Sequence, residues 1–284
     1  MNRKSISIFL ILAVVFTFSP VWAKPDTPKR ILVVPESVGD EDIVSLGSRF
    51  EPKEQQVVEG YAFIHYQDEK GRNKKQAENR KDQHGKAKQQ GPRNRCYAFF
   101  ADGAKWKNVE AWIVNPANTR GLNADFVFSN LTTDMAKWED AADGIVGNGI
   151  GVNILGDGSM TSNVLLADTT SPDGKNEVYF ADISSPGAIA VTIVWGIFSG
   201  PVSQRRIVEW DQVYDDVDFD WSSSGEAGKM DFENIAMHEL GHSKGLSHPS
   251  DVCTEETMYR FSSFGETKKR DLNIGDINGI NVLY

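Results

Sequence analysis

Short apolar runs separated by polar turns dominate the chain from residue 96 onward, and most of them predict β-strands. These runs are rich in Val, Ile, Trp and Phe, the residues that favour a pleated and partly buried backbone. The predicted strands of this part cover residues 109–114, 163–168, 177–183, 188–198 and 205–216. Two further strand candidates, 31–34 and 61–66, lie closer to the N-terminus.

Three segments predict helices. Apolar residues recur near helical spacing over 126–143, which indicates an amphipathic helix. Residues 230–245 are predicted to be helical as well, and residues 272–284 to form a last helix that closes the chain. One helix, a set of strands and then two helices predict a mixed α/β (α+β) domain.

The N-terminus has the three-part layout of a secretory signal. A basic start precedes an apolar run over residues 6–18, and small residues stand at Val21 and Ala23. The apolar run is short for a membrane span. We therefore expect residues 1–23 to be a signal peptide and the protein to be secreted, with no membrane contact after cleavage. An uncleaved anchor is the alternative.

A strongly polar segment separates the two parts of the chain. Residues 68–95 contain ten Lys or Arg, three Gly and one Pro, and they lack Val, Ile, Leu, Phe, Trp, Tyr, Met and Cys. Such a segment cannot bury apolar area, so it predicts a solvated linker. We interpret 24–95 as a prosegment or N-terminal region that ends in this basic linker; a tether that is never processed is the alternative. We expect no chemistry before the linker, and we expect His65 to be packed among aromatic residues.

The net charge changes sign at the same boundary. Residues 1–95 carry a net charge of +5 and residues 96–284 carry −15. The acidic part argues against nucleic acid as a partner and makes calcium a possible ligand. Its carboxylates are concentrated near residues 173–177 and at five aspartates, Asp211, Asp215, Asp216, Asp218 and Asp220. A solvated acidic strand end explains the five aspartates equally well.

Three of the five histidines of the chain lie within eleven residues. On a helix His238 and His242 project from one face, at a spacing that suits a tetrahedral zinc ion. Gly245 can adopt a positive φ and end the helix in a sharp turn, which would return His248 to the same metal. Three neutral imidazoles with an open fourth position are typical of a catalytic zinc, and Glu239 would stand beside the metal as a general base. A surface helix with solvated histidines and a purely structural zinc site are the alternatives.

The pattern formed by residues 238–248 resembles that of the metzincin metallopeptidases, and its surroundings resemble the matrixin branch. Residues 257–259 are similar to the methionine turn of that family, with Met258 below the metal. The end of the chain, 272–284, is similar to the terminal helix of the family, and 104–118 is similar to its first strand.

The resemblance implies a zinc metallopeptidase catalytic domain over 96–284, built as a twisted, mixed five-stranded sheet with an active-site helix and a C-terminal helix. It implies that the three histidines bind one zinc, and that Glu239 activates water and passes its proton to the leaving amine. Substrates would be proteins or peptides, bound as an extended strand along an edge strand within 187–195. A non-catalytic zinc-containing extracellular peptide-binding protein is the alternative, and the intact Glu239 favours the enzyme.

The cysteines are Cys96 and Cys253. In an exported protein an even pair predicts a disulfide, with two free thiols or a zinc-blocking Cys96 thiolate as alternatives. Cys96 stands in the sequence PRNRCYAFF, unlike the Pro-Arg-Cys-Gly context of matrixin prosegments. All histidines of 96–284 belong to the one zinc motif, so we expect a single zinc ion.

Overall fold

A computed structural model describes residues 30–35, 42–68 and 95–284. The predicted signal peptide, 1–23, and all but the ends of the predicted basic linker lie outside the described residues. None of the helices in the described ranges has the length and apolar character needed to cross a membrane.

The described residues form short and long strands and three α-helices. The strands are β1 (Ile31–Leu32), β2 (Ile43–Glu51), β3 (Gln56–Gln67), β4 (Ala98–Phe99), β5 (Trp112–Asn115), β6 (Gly158–Met160), β7 (Asn176–Ile183), β8 (Ala188–Ile197), β9 (Arg206–Asp215), β10 (Trp221–Ser222), β11 (Met230–Asp231), β12 (Leu246–Ser247) and β13 (Phe261–Ser262). The helices are α1 (Ala124–Asp140), α2 (Phe232–Ser243) and α3 (Ile274–Leu283). All three predicted helices are confirmed, with ends that differ by a few residues.

Nine strands form one mixed sheet. The order is β13-β3-β8-β9-β7-β5-β6, with β1 paired to β7 and β2 paired to β3. Strands β6, β5, β7 and β9 are parallel, and β8 is antiparallel to β9. The five strands β5 to β9 confirm the mixed five-stranded sheet expected for 96–284. The remaining strands of the sheet extend it beyond β8 and beside β7.

Two apolar cores lie on opposite faces of this sheet, because alternate residues of a strand point to opposite sides. On one face α1 and α2 pack against β8 residues such as Ala190 and Val194. On the other face Val191, Ile193 and Trp195 pack against β1, β2 and β3. The first core holds α2, which carries the histidines, against the centre of the sheet.

The strand predicted over 163–168 is wrong. Val164 and Leu166 are 70% and 64% exposed, so only one side of this segment contributes to a core. Its backbone N–H groups also bond to side chains instead of a neighbouring strand: Leu166 donates to Glu177, and Asp168 donates to Asp211. The strand that pairs with β5 at this end of the sheet is the earlier segment β6.

A hydrogen bond near each end of α1 holds this helix in position. Asn123 caps α1 by accepting a hydrogen bond from the Phe126 backbone N–H. Near the other end Trp138 is fully buried and donates from Nε1 to the Met237 carbonyl at 2.9 Å. This bond ties α1 to the middle of α2.

A disulfide joins Cys96 to Cys253 and excludes the two thiol alternatives. It links the start of the main domain to the loop that follows His248. A short antiparallel pair, Ala98 with Ser247, lies close by and connects the same two regions. The residues that follow the linker are therefore fastened beside the histidine site.

Candidate metal and catalytic site

Helix α2 and the turn after it bring the three histidines together. Asp231 caps the helix by accepting from the Asn234 N–H, and Gly245, with φ of 105°, redirects the chain after the helix as expected. The Nε2 atom of His238 lies 3.1 Å from that of His242 and 3.2 Å from that of His248. The Nε2 atoms of His242 and His248 are 3.1 Å apart.

The hydrogen bonds of the outer ring nitrogens assign the protons of these histidines. Nδ1 of His238 lies 2.7 Å from the Thr257 carbonyl, and Nδ1 of His242 lies 2.9 Å from the Leu246 carbonyl. Because a carbonyl can only accept, each Nδ1 carries the proton and each Nε2 carries a lone pair. Nδ1 of His248 donates in the same way to a carboxylate oxygen of Asp42 at 2.9 Å.

Three lone pairs that face one another at this distance need a cation between them. Bonds of about 2.0–2.1 Å to a tetrahedral zinc place neighbouring nitrogens about 3.3–3.4 Å apart, close to the observed separations. Burial lowers the pKa of His238 and His242 well below the ordinary value of a histidine. These two histidines are therefore neutral, as metal ligands must be. The donor set fits one zinc ion.

Glu239 is fully buried and both of its carboxylate oxygens are engaged. Oε2 accepts from the Thr192 hydroxyl of β8 at 2.6 Å, and Oε1 lies 2.9 Å from Nδ1 of His65. Burial raises the pKa of Glu239 to about 8, although the Thr192 hydrogen bond and Lys269 act in the opposite direction. The carboxylate lies beside the histidine cluster and outside the three-histidine set.

Met258 packs against Gly241 of α2, which makes room for it. A Cβ at Gly241 would lie 2.2 Å from the Met258 sulfur, so only glycine allows this approach. The turn that carries Met258 is held by the last helix: Asp276 accepts from the Thr257 and Met258 backbone N–H groups at 2.7 and 3.1 Å. The helix α3 thereby positions the turn that carries Met258.

The expectation of no chemistry before the linker is wrong. His65 is packed, as predicted, but it is packed on the site: its ring lies 4.0 Å from that of His238. The Phe63 ring stacks on that of His242 at 4.4 Å, and Asp42 holds His248. No local sequence pattern marks these residues, because their contacts span about 170 to 210 positions of the chain.

Lys269 is fully buried and contacts His65 on the side away from Glu239. Its ammonium group donates to Nε2 of His65 at 3.1 Å and to the Tyr259 carbonyl. The Ser262 hydroxyl lies 3.0 Å from the same His65 nitrogen. Burial lowers the pKa of Lys269 to about 7. His65 therefore connects these donor groups to Glu239.

The five aspartates of 211–220 do not form one cluster of free carboxylates. Asp215 accepts from the backbone N–H groups of Ile183, Val217 and Asp218, and Asp220 pairs with Arg120. A different set converges: single carboxylate oxygens of Asp168, Asp173 and Glu209 lie within 4.8 Å of one another.

A mixed sheet backed by a helix that presents two histidines, with a third returned by a glycine turn, is the arrangement typical of the metzincin class. The sequence profile of the matrixin family matches residues 63–284, and the chain belongs to that family. It is 40% identical over 203 residues to Metalloendoproteinase 1 of Glycine max, covering 66% of this chain and 55% of that protein. It is 27% identical over 197 residues to Metalloendoproteinase 2-MMP of Arabidopsis thaliana, covering 66% and 45%. The chain thus spans about half the length of these relatives.

Proposed function

We propose that this protein is a secreted zinc-dependent endopeptidase that hydrolyses peptide bonds in proteins. The observation that carries the proposal is the convergence of three histidine Nε2 atoms with the Glu239 carboxylate beside them. The metalloendoproteinase relatives support the same activity. The signal-like layout of residues 1–23 supports secretion.

The roles of the residues follow from their positions. His238, His242 and His248 hold the zinc, which when bound supplies a Lewis acid and lowers the pKa of a water to about 7. Glu239 takes the proton of the attacking water and delivers it to the leaving amine nitrogen. Thr192 holds one oxygen of Glu239 and so orients the carboxylate. Strand β8 offers its backbone to an extended substrate.

Metal dependence tests the proposal directly. The chain, cut within residues 69–94 and separated from its N-terminal fragment, should digest unfolded casein and contain one zinc per molecule. A chelator should abolish the digestion, and added zinc should restore it. The His242→Ala variant should lose both zinc and activity. Digestion that continues unchanged in the zinc-free protein would contradict the proposal.

The alternative is a zinc-containing protein that binds peptides without cutting them. It predicts the same zinc content and saturable binding of unfolded peptides, with no new termini in the casein after prolonged incubation. Mass spectrometry of the casein therefore distinguishes the two functions, because only the endopeptidase generates internal fragments. The intact Glu239, next to the histidines, favours the endopeptidase.

We propose a calcium site at Asp168, Asp173 and Glu209. Glu209 is fully buried and its Oε1 atom lacks a hydrogen-bond partner among the described residues, which leaves a buried acceptor facing the other carboxylates. Millimolar calcium should raise the melting temperature, and Glu209→Gln should remove that rise. Asp220→Asn, at the exposed pair with Arg120, is the control. An equal rise in Glu209→Gln would place calcium elsewhere.

A further inference from the structure

Strand β3 fills a gap between two strands of the main domain. It runs antiparallel to β8, with pairs from Glu59–Gly196 to Tyr66–Ala188, and parallel to β13. On its other side β8 pairs with β9, so within residues 95–284 its side toward β3 is the edge of the sheet. The space between β8 and β13 holds one extended strand, and a segment of the same chain occupies it.

The side chains of this strand cover the candidate site from above. Phe63 stacks on His242 and His65 lies on His238, both from β3. Asp42, directly before β2, reaches the third histidine, His248. As a result His238 and His242 are 0% and 1% exposed. A second extended peptide has no place to lie along β8 while β3 is there.

The same strand also blocks the catalytic base. Glu239 must accept a proton from water, yet its Oε1 atom is taken by His65 and its Oε2 atom by Thr192. Thr192 belongs to β8, which also pairs with β9 on its other side. His65 is therefore the group that has to leave before Glu239 can meet a water molecule.

The hold on the site is strengthened by polar anchors at both ends. Lys269 and Ser262 bind Nε2 of His65, and Arg260 lies 3.4 Å from the Asp42 carboxylate. At the hairpin turn Glu54 pairs with Arg206 of β9 at 2.6 Å. The apolar face of the hairpin is buried as well, since Ala62 and Ile64 belong to the second core.

We propose that the hairpin of β2 and β3, residues 42–67, is an intramolecular inhibitor that occupies the place of a substrate strand. The inhibition rests on the proposed peptidase function, because it closes that same site. It uses backbone pairing and a histidine anchor instead of a cysteine on the metal; the two cysteines are joined to each other elsewhere. The intact chain is latent, and displacement of the hairpin activates it.

The first test uses the full chain. Phe63→Ser combined with His65→Ser should raise kcat/KM on unfolded casein about tenfold or more. The loss of about 1.4 kcal/mol of hairpin contact changes the equilibrium constant between the closed and the open hairpin tenfold. Phe50→Ser combined with Val57→Ser is the matched control: both residues lie in the hairpin but are 64% and 54% exposed. The control should keep the low activity of the wild type.

A second measurement keeps the test independent of catalysis. The rate at which zinc is lost to a chelator should be faster in the Phe63→Ser, His65→Ser chain than in the wild type or the control. Wild-type activity as high as that of the variant, with equal rates of zinc loss, would overturn the inhibitor and leave the peptidase standing. Faster zinc loss without hydrolysis in any form would preserve the closed hairpin and overturn the peptidase.

A trans experiment guards against a variant that is merely misfolded. A synthetic peptide of residues 56–67 should inhibit the Phe63→Ser, His65→Ser chain competitively with casein. The same peptide with His65→Leu should inhibit at least about tenfold more weakly, because Leu removes the groups that bind Glu239 and Lys269. Equal inhibition by both peptides, or none by either, would contradict the proposal.

Discussion

A Glu239→Gln substitution is expected to lower kcat on unfolded casein by about 10²–10⁴-fold, measured in the form of the chain in which the wild type is most active. The glutamine side chain has the same shape and can still accept the hydrogen bond of Thr192. It cannot take a proton from water, so the step that needs a base is lost. Zinc content should stay at one per molecule, because Glu239 lies outside the group of three histidines proposed to hold the zinc.

A control on the same helix separates this loss from a general effect on α2. Glu233→Gln removes a carboxylate from the first turn, where it pairs with Lys137 at 2.8 Å. It should keep activity near that of the wild type. Activity of Glu239→Gln within about threefold of the control, at equal zinc content, would remove Glu239 from the role of base.

Loss of the disulfide should have the largest effect on stability. The Cys96→Ser, Cys253→Ser double variant is expected to lower the free energy of unfolding by about 4–5 kcal/mol, because the bond closes a very long loop of the unfolded chain. The two cysteines are 157 residues apart in the sequence. Urea unfolding followed by tryptophan fluorescence measures the difference between the variant and the wild type.

Reduction of the wild type provides the comparison for the double variant. A reductant should shift the wild-type unfolding midpoint toward that of the variant and leave the variant unchanged. The single Cys253→Ser variant should be destabilised to a similar extent, because a single remaining cysteine cannot form the disulfide. A loss below about 1 kcal/mol in the double variant would show that the unfolded chain is not restrained by this bond.

Much of the main domain could be predicted because its signals are local. The apolar run 188–198 forms β8, which is buried at every position. The alternating segment 205–216 forms β9, and the segment with helical spacing forms α1. The strand prediction for 163–168 is wrong because this segment does not pair with a neighbouring strand; β5 pairs with β6 instead. Neither composition nor spacing of residues indicates which segment pairs with β5. Pairing partners in a sheet are a property of the whole fold.

The sequence by itself indicated the candidate ligand set. The four-residue spacing of His238 and His242 acts through helix geometry, and Gly245 acts through its own positive φ, so both are legible without a structure. The same holds for the expectation of one zinc, because the histidine count of 96–284 is a property of the sequence. The single disulfide was favoured by composition, although its alternatives remained open.

Only the tertiary structure decided what covers this site. The sequence of the β2–β3 hairpin has no distinctive motif. Its local pattern does not distinguish a His65 that contacts the site from a histidine that is merely packed among aromatic residues. The position of the hairpin over the site is set by backbone pairing of β3 with β8 and by the contact of His65 with Glu239, 174 positions away in the chain. Contacts at such separation depend on how the whole sheet assembles, so the local pattern of residues predicted the metal site but not the strand that closes it.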